Sequence, residues 1–166
     1  LFYVGMQASS AINKMLDNFN RKITEDMQAR LDELGMSLSE VINVASLIEK
    51  EAANDSERPV IASVIYNRLN YDTPLGIDAA VLYPYPEHEG APTAEMLAKD
   101  DPYNTRIKLG LPPTPISNPG IASINAALWP DATDYFYYAL DTATGTHQFF
   151  TNEGDFNSFV ATQDYE

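Results

Sequence analysis

The sequence contains no cysteine. Disulfides, thiolate nucleophiles and cysteine-bound zinc are therefore excluded within this chain. Basic residues are also scarce. Lys and Arg together number 10 against 24 Asp and Glu, for a formal net charge of -14, and the basic residues do not cluster. Nucleic acid is thus not expected as a partner, and a neutral or mixed-charge ligand is easier to accommodate. The only histidines are His88 and His147, so no metal site and no metal or organic cofactor is expected. There is no phosphate-cradling glycine loop, no G-x-S-x-G elbow and no H-E-x-x-H pair. No apolar run approaches a membrane span, and no signal-peptide pattern, internal repeat or low-complexity tract is present.

What the sequence does have is apolar content. Of its 166 residues 45% are hydrophobic, and seven Phe, ten Tyr and one Trp argue for a packed core rather than disorder. The length suits one compact domain. The chain opens on Leu1-Phe2-Tyr3-Val4, an awkward free start that is expected of a piece excised from a longer protein.

The most informative segment is Ala45-Ser46-Leu47-Ile48-Glu49-Lys50-Glu51-Ala52. Read at about 100° per residue from Ser39 to Ala53, Val41, Val44, Ala45, Leu47, Ile48 and Ala52 form one broad apolar arc, with Lys50 opposite. Glu51 falls inside the arc, flanked by Val44 and Leu47. Glu49 falls near its other edge, beside Ile42 and Ala45. A glutamate on the buried side of a helix costs stability unless it stays protonated or finds partners, and a protonated one is a general acid. The competing reading is a glutamate at the core margin, its stem buried and its head hydrated or ion-paired.

Around this helix the pattern predicts an α+β fold, with N-terminal helices, a central loop-rich insert and a late antiparallel hairpin. Residues 1-38 read as an N-terminal helical segment leading into a domain at 39-166. Met6 to Leu34 has the spacing of one long amphipathic helix stopped by Gly35, and Ser39 is the expected N-cap of the next. Asn54-Asp55-Ser56 should break that helix, and Pro59 should open another. Asn70 to Pro119 holds most of the prolines and is expected to form site-building loops. A helix should restart after Pro119-Gly120. Tyr135 to Leu140 and Thr146 to Phe150 read as strands joined by Asp141 to Gly145, with a short helix near Phe156 to Thr162. His88 reads as a solvated loop residue. His147 either faces a site or packs.

A series of blocks follows the carboxylate helix: Ser56-Glu57-Arg58-Pro59, Ala62-Ser63-Val64-Ile65-Tyr66-Asn67-Arg68-Leu69, Tyr103-Asn104-Thr105, Gly110-Leu111-Pro112-Pro113 and Pro115-Ile116-Ser117-Asn118-Pro119-Gly120. With Glu49-Lys50-Glu51 ahead of them and the hairpin behind, they resemble, in order, the signatures of the YceG/MltG-like endolytic murein transglycosylases. The resemblance covers about Ser39 to the end. It implies an enzyme that cuts peptidoglycan glycan strands internally at the outer face of the bacterial cytoplasmic membrane and ends nascent strands. It also implies a parent anchored by one N-terminal membrane helix, with cell-wall synthesis proteins as partners. The family's catalytic glutamate maps onto Glu51, the residue that helical geometry places in the apolar arc. The loop Gly76-Ile77-Asp78-Ala79-Ala80 is more apolar than is usual in the family, but Asp78 is kept.

Two glutamates two residues apart on a helix point to nearly opposite sides, so Glu49 and Glu51 are not expected to serve one bond together. A lytic transglycosylase needs one carboxyl group. It protonates the leaving oxygen, then accepts the proton of the muramic acid 6-hydroxyl as that oxygen closes onto C1 to give a 1,6-anhydro end. Arg58 is expected to pair with Glu57 or Glu49 and so leave Glu51 alone. Asn67, Asn104, Thr105 and Asn118 offer neutral groups for sugar hydroxyls and N-acetyl groups, or else serve as turn and cap residues. Tyr103 offers a ring to a pyranose face, and Asp78 and His147 complete the candidate substrate contacts. Two other readings compete: a glycan-binding or scaffolding module without turnover, and a glycoside hydrolase using Asp78 or Glu57 as a second carboxylate.

Overall fold

The structure is a computed structural model that describes residues 2–165. Leu1 of the expected opening segment and Glu166 of the expected domain lie outside the described residues. The chain divides into two compact units, Leu1–Ser37 and Leu38–Glu166.

The first unit is two helices rather than the single long one its periodicity predicts. Helix α1 spans Ala8–Lys22 and α2 spans Glu25–Leu34. Ile23 is extended, and the Thr24 side chain accepts a hydrogen bond from the Met27 amide. Threonine thus serves as an N-cap in the middle of an unbroken apolar repeat, and local capping wins over periodicity. Gly35 ends α2 as expected. It sits at φ 65°, and its amide and that of Met36 bond back to the last turn.

The second unit is built on α3 (Leu38–Glu51), α4 (Arg58–Asn70) and α7 (Ile121–Leu128). The helix starts at Leu38, so Ser39 lies in its first turn rather than at its cap. Val41, Val44, Ala45, Leu47 and Ile48 are fully buried. So are Ile61 and Ala62 of α4 and Ala127 of α7. Each large aliphatic side chain sealed in this way contributes roughly 1.5–3 kcal/mol, which makes α3 the axis of the core. Pro59 occupies the first turn of α4, where its missing amide hydrogen costs nothing. The Tyr66 hydroxyl ties α4 to α7 by donating to the Ala127 carbonyl at 2.7 Å.

Two short helices, α5 (Asp78–Leu82) and α6 (Ala94–Ala98), interrupt the insert that the sequence presents as loop. The strands β1 (Tyr137–Asp141) and β2 (Thr146–Phe150) form an antiparallel hairpin, with Tyr138 opposite Phe149 and Leu140 opposite His147. Gly145, at φ 70°, closes its loop. Helix α8 (Glu153–Val160) covers one face of the hairpin, its Phe156 ring against Tyr137 and Phe150. The architecture is α+β: helices carry most of the structure, and the two-stranded sheet comes late. Among the described residues no helix is long and apolar enough to cross a membrane.

Candidate active site

Glu49 and Glu51 leave the end of α3 in different directions and meet opposite chemistry. Glu49 Oε2 accepts hydrogen bonds from the Ser123 hydroxyl at 2.6 Å, the Gly120 amide at 3.1 Å and Arg58 at 3.3 Å. The Ser123 bond leads in holding its carboxyl below the ordinary range; the Gly120 amide and the Arg58 charge add to it against the cost of burial. Arg58 also bonds Asp55, at 2.9 Å. It therefore engages Glu49, one of its two expected partners, and not Glu51.

Among the described residues Glu51 has one hydrogen-bond partner. The Tyr138 hydroxyl of β1 donates to its Oε2 at 2.7 Å. Burial pushes the Glu51 carboxyl above its ordinary value of 4.5; the Tyr138 bond and the nearby His147 and Arg106 oppose this, and Asp78 adds to it. A protonated carboxylic acid at the edge of an apolar core is thereby favoured. The Glu51 residue as a whole is partly exposed, while its carboxyl group is the buried end.

Glu57, at the head of α4, is buried and accepts from four donors. These are the Ala53 amide at 3.1 Å, Asn54 at 3.0 Å, the His147 amide at 2.9 Å and His147 Nδ1 at 2.8 Å. Burial works to raise its carboxyl, but the bonds from the His147 ring, the His147 amide and the Ala53 amide outweigh it and hold the group low. A carboxylate offers about four acceptor sites. All are taken, so Glu57 is not available as the second carboxylate of a hydrolase. Asp78, at the head of α5, pairs with Arg106, whose Nε donates at 2.8 Å; both side chains are close to half exposed.

The remaining sequence candidates divide by how much of each side chain is left over. Asn104 is buried. Its amide donates to the carbonyls of Met96, Leu97 and Lys99 at 3.2, 3.0 and 2.8 Å, and its Oδ1 accepts from the Arg106 amide. Thr105 is buried as well, and its hydroxyl bonds both the amide and the carbonyl of Ile77. These two residues clamp the loop that presents Asp78 and Arg106 and have no group left for a ligand. Asn67 donates to the carbonyls of Thr133 and Tyr135, both at 2.9 Å, and so aims the chain entering β1. Tyr103 is partly exposed, its ring 4.9 Å from that of Tyr83 and its hydroxyl on Thr114. Asn118 is exposed, but its turn packs on the Glu49 side of α3 through Ser117 and Gly120. His147 faces inward, its ring edge-on to Tyr138 at 5.3 Å.

Sequence reasoning overlooked three features. A polar stripe, Asn43-Ser46-Glu49, runs along α3 at three-residue spacing and holds the proline-rich strap: Asn43 donates to the Pro112 carbonyl, and Ser46 accepts from the Ile116 amide. That spacing was a readable signal, because polar residues in a buried helix need partners. Tyr138 was also within reach. Once the Asp141 to Gly145 loop sets the hairpin register, it shares a face with His147. Arg68 left no signal. It donates to the carbonyls of Phe136, Pro74 and Leu75 and joins β1 to the loop before Asp78.

Comparison with known proteins bears on the same segment. The model of the YceG-like family matches residues 1–162. The endolytic murein transglycosylase of Bacillus subtilis (strain 168) is 40% identical over 127 residues, 76% of this chain and 35% of that protein. That of Streptococcus pneumoniae serotype 2 (strain D39 / NCTC 7466) is 29% identical over 164 residues, 94% of this chain and 30% of that protein. A crystal structure of a protein described as yceG-like, from Listeria monocytogenes, superposes with a TM-score of 0.87 at 37% identity, over 95% of this chain and 51% of that one. The chain spans about a third of the length of the curated relatives it matches. With a family match across nearly its whole length, the chain belongs to the YceG-like family.

Proposed function

We propose that this chain carries the catalytic centre of an endolytic peptidoglycan lytic transglycosylase. The observation that carries the reading is Glu51: a carboxyl raised by burial and steadied by a single hydroxyl, on a residue that is partly exposed as a whole. The relatives' shared name supplies the substrate class, glycan strands of murein.

In the first step protonated Glu51 gives its proton to the oxygen bridging N-acetylmuramic acid and N-acetylglucosamine, and the bond from C1 to that oxygen breaks. The muramic acid 6-hydroxyl then bonds to C1 and returns its proton to the Glu51 carboxylate. A 1,6-anhydro end forms, no water is consumed, and the acid is regenerated. Glu49 takes no part, since its Oε2 is engaged by Ser123, Gly120 and Arg58. The Asp78 and Arg106 pair lies near enough to Glu51 to act on its charge and keeps exposed surface for the sugar. Tyr103 and Asn118 are outer contacts in this reading; Asn67, Asn104 and Thr105 shape the site from behind. The enzyme works at the extracytoplasmic face of the membrane, where its substrate is made, alongside cell-wall synthesis proteins.

Digestion of purified glycan strands in water enriched in heavy oxygen tests the proposal. An unlabelled anhydro end is expected. A labelled reducing end would replace it with a hydrolase, for which Asp78 is the remaining second carboxylate. Binding without any product would leave a glycan-binding module.

A further inference from the structure

A ring of contacts passes through the candidate acid, from Glu51 to Tyr138, His147 and Glu57 and back through the turn after α3. Glu57 fixes His147 at two points, its backbone amide and ring Nδ1. An ionised carboxylate can only accept, so Nδ1 carries a hydrogen and donates it. The His147 ring then meets the Tyr138 ring edge-on, and Phe149 packs beside both. Tyr138 in turn donates to Oε2 of Glu51. The ring closes through the turn after α3, because Ala53 and Asn54 donate to the same Glu57 carboxylate. The groups that bear electrostatically on Glu51 are Tyr138 and His147 from the hairpin, Asp78 from α5 and Arg106 from the loop after Thr105.

This inference rests on Glu51 being the acid and base. We propose that the Glu57–His147 pair is a positioning device for both proton transfers. It holds the Tyr138 hydroxyl on Oε2 of Glu51, so that Oε1 delivers and recovers the proton. It also sets beside Glu51 an imidazole that, when protonated, steadies the carboxylate formed between the two steps. Tyr138 and His147 act through Glu51 and do not bind the sugar. Two arms serve one carboxyl here: a hydroxyl that fixes its orientation and an imidazole whose charge acts on it.

The test is the pH dependence of kcat/KM for wild type, Tyr138→Phe and His147→Gln on a soluble glycan substrate. Activity falls as pH rises through the value at which Glu51 loses its proton in the free enzyme. The Tyr138 hydroxyl and a protonated His147 both favour the carboxylate, so removing either should move that falling limb to higher pH by about half a pH unit or more. In both variants kcat should drop about tenfold or more with KM little changed, as expected for a misaimed acid. Glutamine at 147 keeps a donor for Glu57 without the charge, and phenylalanine at 138 keeps the packed ring. If both limbs coincide with wild type while thermal stability falls, the pair is a strut and the inference is wrong. A raised KM at unchanged kcat for His147→Gln would make it a sugar contact and equally overturn it. Glu51→Gln separates the two levels: an active Glu51→Gln enzyme sinks the acid–base reading itself, whereas an inactive one with unmoved limbs sinks only the role of the pair.

Discussion

Replacing Glu51 by glutamine separates chemistry from folding because of what surrounds it. Glutamine has the same size, and its carbonyl oxygen can accept the Tyr138 hydroxyl where Oε2 does now. What is lost is the transferable proton. A positioned general acid contributes about 10²–10⁴-fold. The barrier should therefore rise by about 2.7–5.4 kcal/mol at about 1.36 kcal/mol per factor of ten. Stability should move the other way. Burial raises the Glu51 carboxyl in the folded state above its ordinary value of 4.5. The unfolded chain thus releases this proton first, and wild type loses stability as pH rises from about 4.5 through the folded value. Glutamine has no proton to release. Glu51→Gln should then unfold at a temperature no lower than wild type at pH 7 to 8, and the difference should shrink toward pH 4. Strand cleavage followed by chromatography and mass analysis reads the first effect; calorimetry across pH reads the second. Cleavage above about a tenth of the wild-type rate, or a variant destabilised only at high pH, would refute the reasoning.

Other substitutions should act through the fold. Glu49→Gln removes the anion that gathers Ser123, Gly120 and Arg58, and should cost about 1.5–3 kcal/mol at neutral pH with cleavage within about tenfold of wild type. Since the Glu49 carboxyl is held low, that stabilisation is present above its unfolded value and lost as pH falls through the folded one, so the two proteins should converge in acid melting curves. Asn104→Ala strips three carbonyls and the Arg106 amide of their partner and should cost about 1–3 kcal/mol in urea unfolding; unchanged stability with weakened glycan binding would instead make Asn104 a ligand contact. Gly76→Ala combines a φ of 66° with a Cβ that would lie 3.1 Å from an Arg68 nitrogen, and should lower the melting temperature with a loss of about 1–2 kcal/mol. Chelator treatment should leave cleavage unchanged, since proton transfer needs no Lewis acid; activity lost and then restored by one divalent ion would count against a lone glutamate.

The sequence was most legible where physics is local. The apolar arc of α3, the glycine stop at Gly35, the proline start at Pro59 and the glycine-closed hairpin each follow from residues within a few positions of one another, and each is present. Failures came from two sources. One is competition between local signals, as at Thr24, where a cap interrupts a periodic stripe. The other is distance along the chain. Tyr138 lies 87 residues from Glu51, and His147 lies 90 from Glu57. No pattern within a helix or strand predicts such a pairing until the register of the hairpin and its docking are known. The same limit explains Asn67, Asn104 and Thr105. Their residue types suit sugar hydroxyls and backbone carbonyls equally, and only the tertiary structure shows that carbonyls and amides already use them.

The two glutamates at the end of α3 show how one helix produces opposite acid strengths two residues apart. A turn of about 200° sends Glu49 toward the strap and the head of α7, where a hydroxyl, an amide and a guanidinium keep it ionised. The same turn sends Glu51 toward the hairpin, where burial outweighs a single hydroxyl. Separation of this kind distinguishes an acid from a structural anion more sharply than either shift alone. The helix is also held against rotation. Asn43, Ser46 and Glu49 bond the strap and the α7 cap along one edge, and Tyr138 bonds Glu51 at the other. Proton transfer is sensitive to displacements of about 1 Å. In the proposed mechanism the structural glutamate therefore serves the chemical one: by anchoring the end of α3 it fixes where the Glu51 carboxyl sits, and its loss should be felt in activity only as far as that anchor yields.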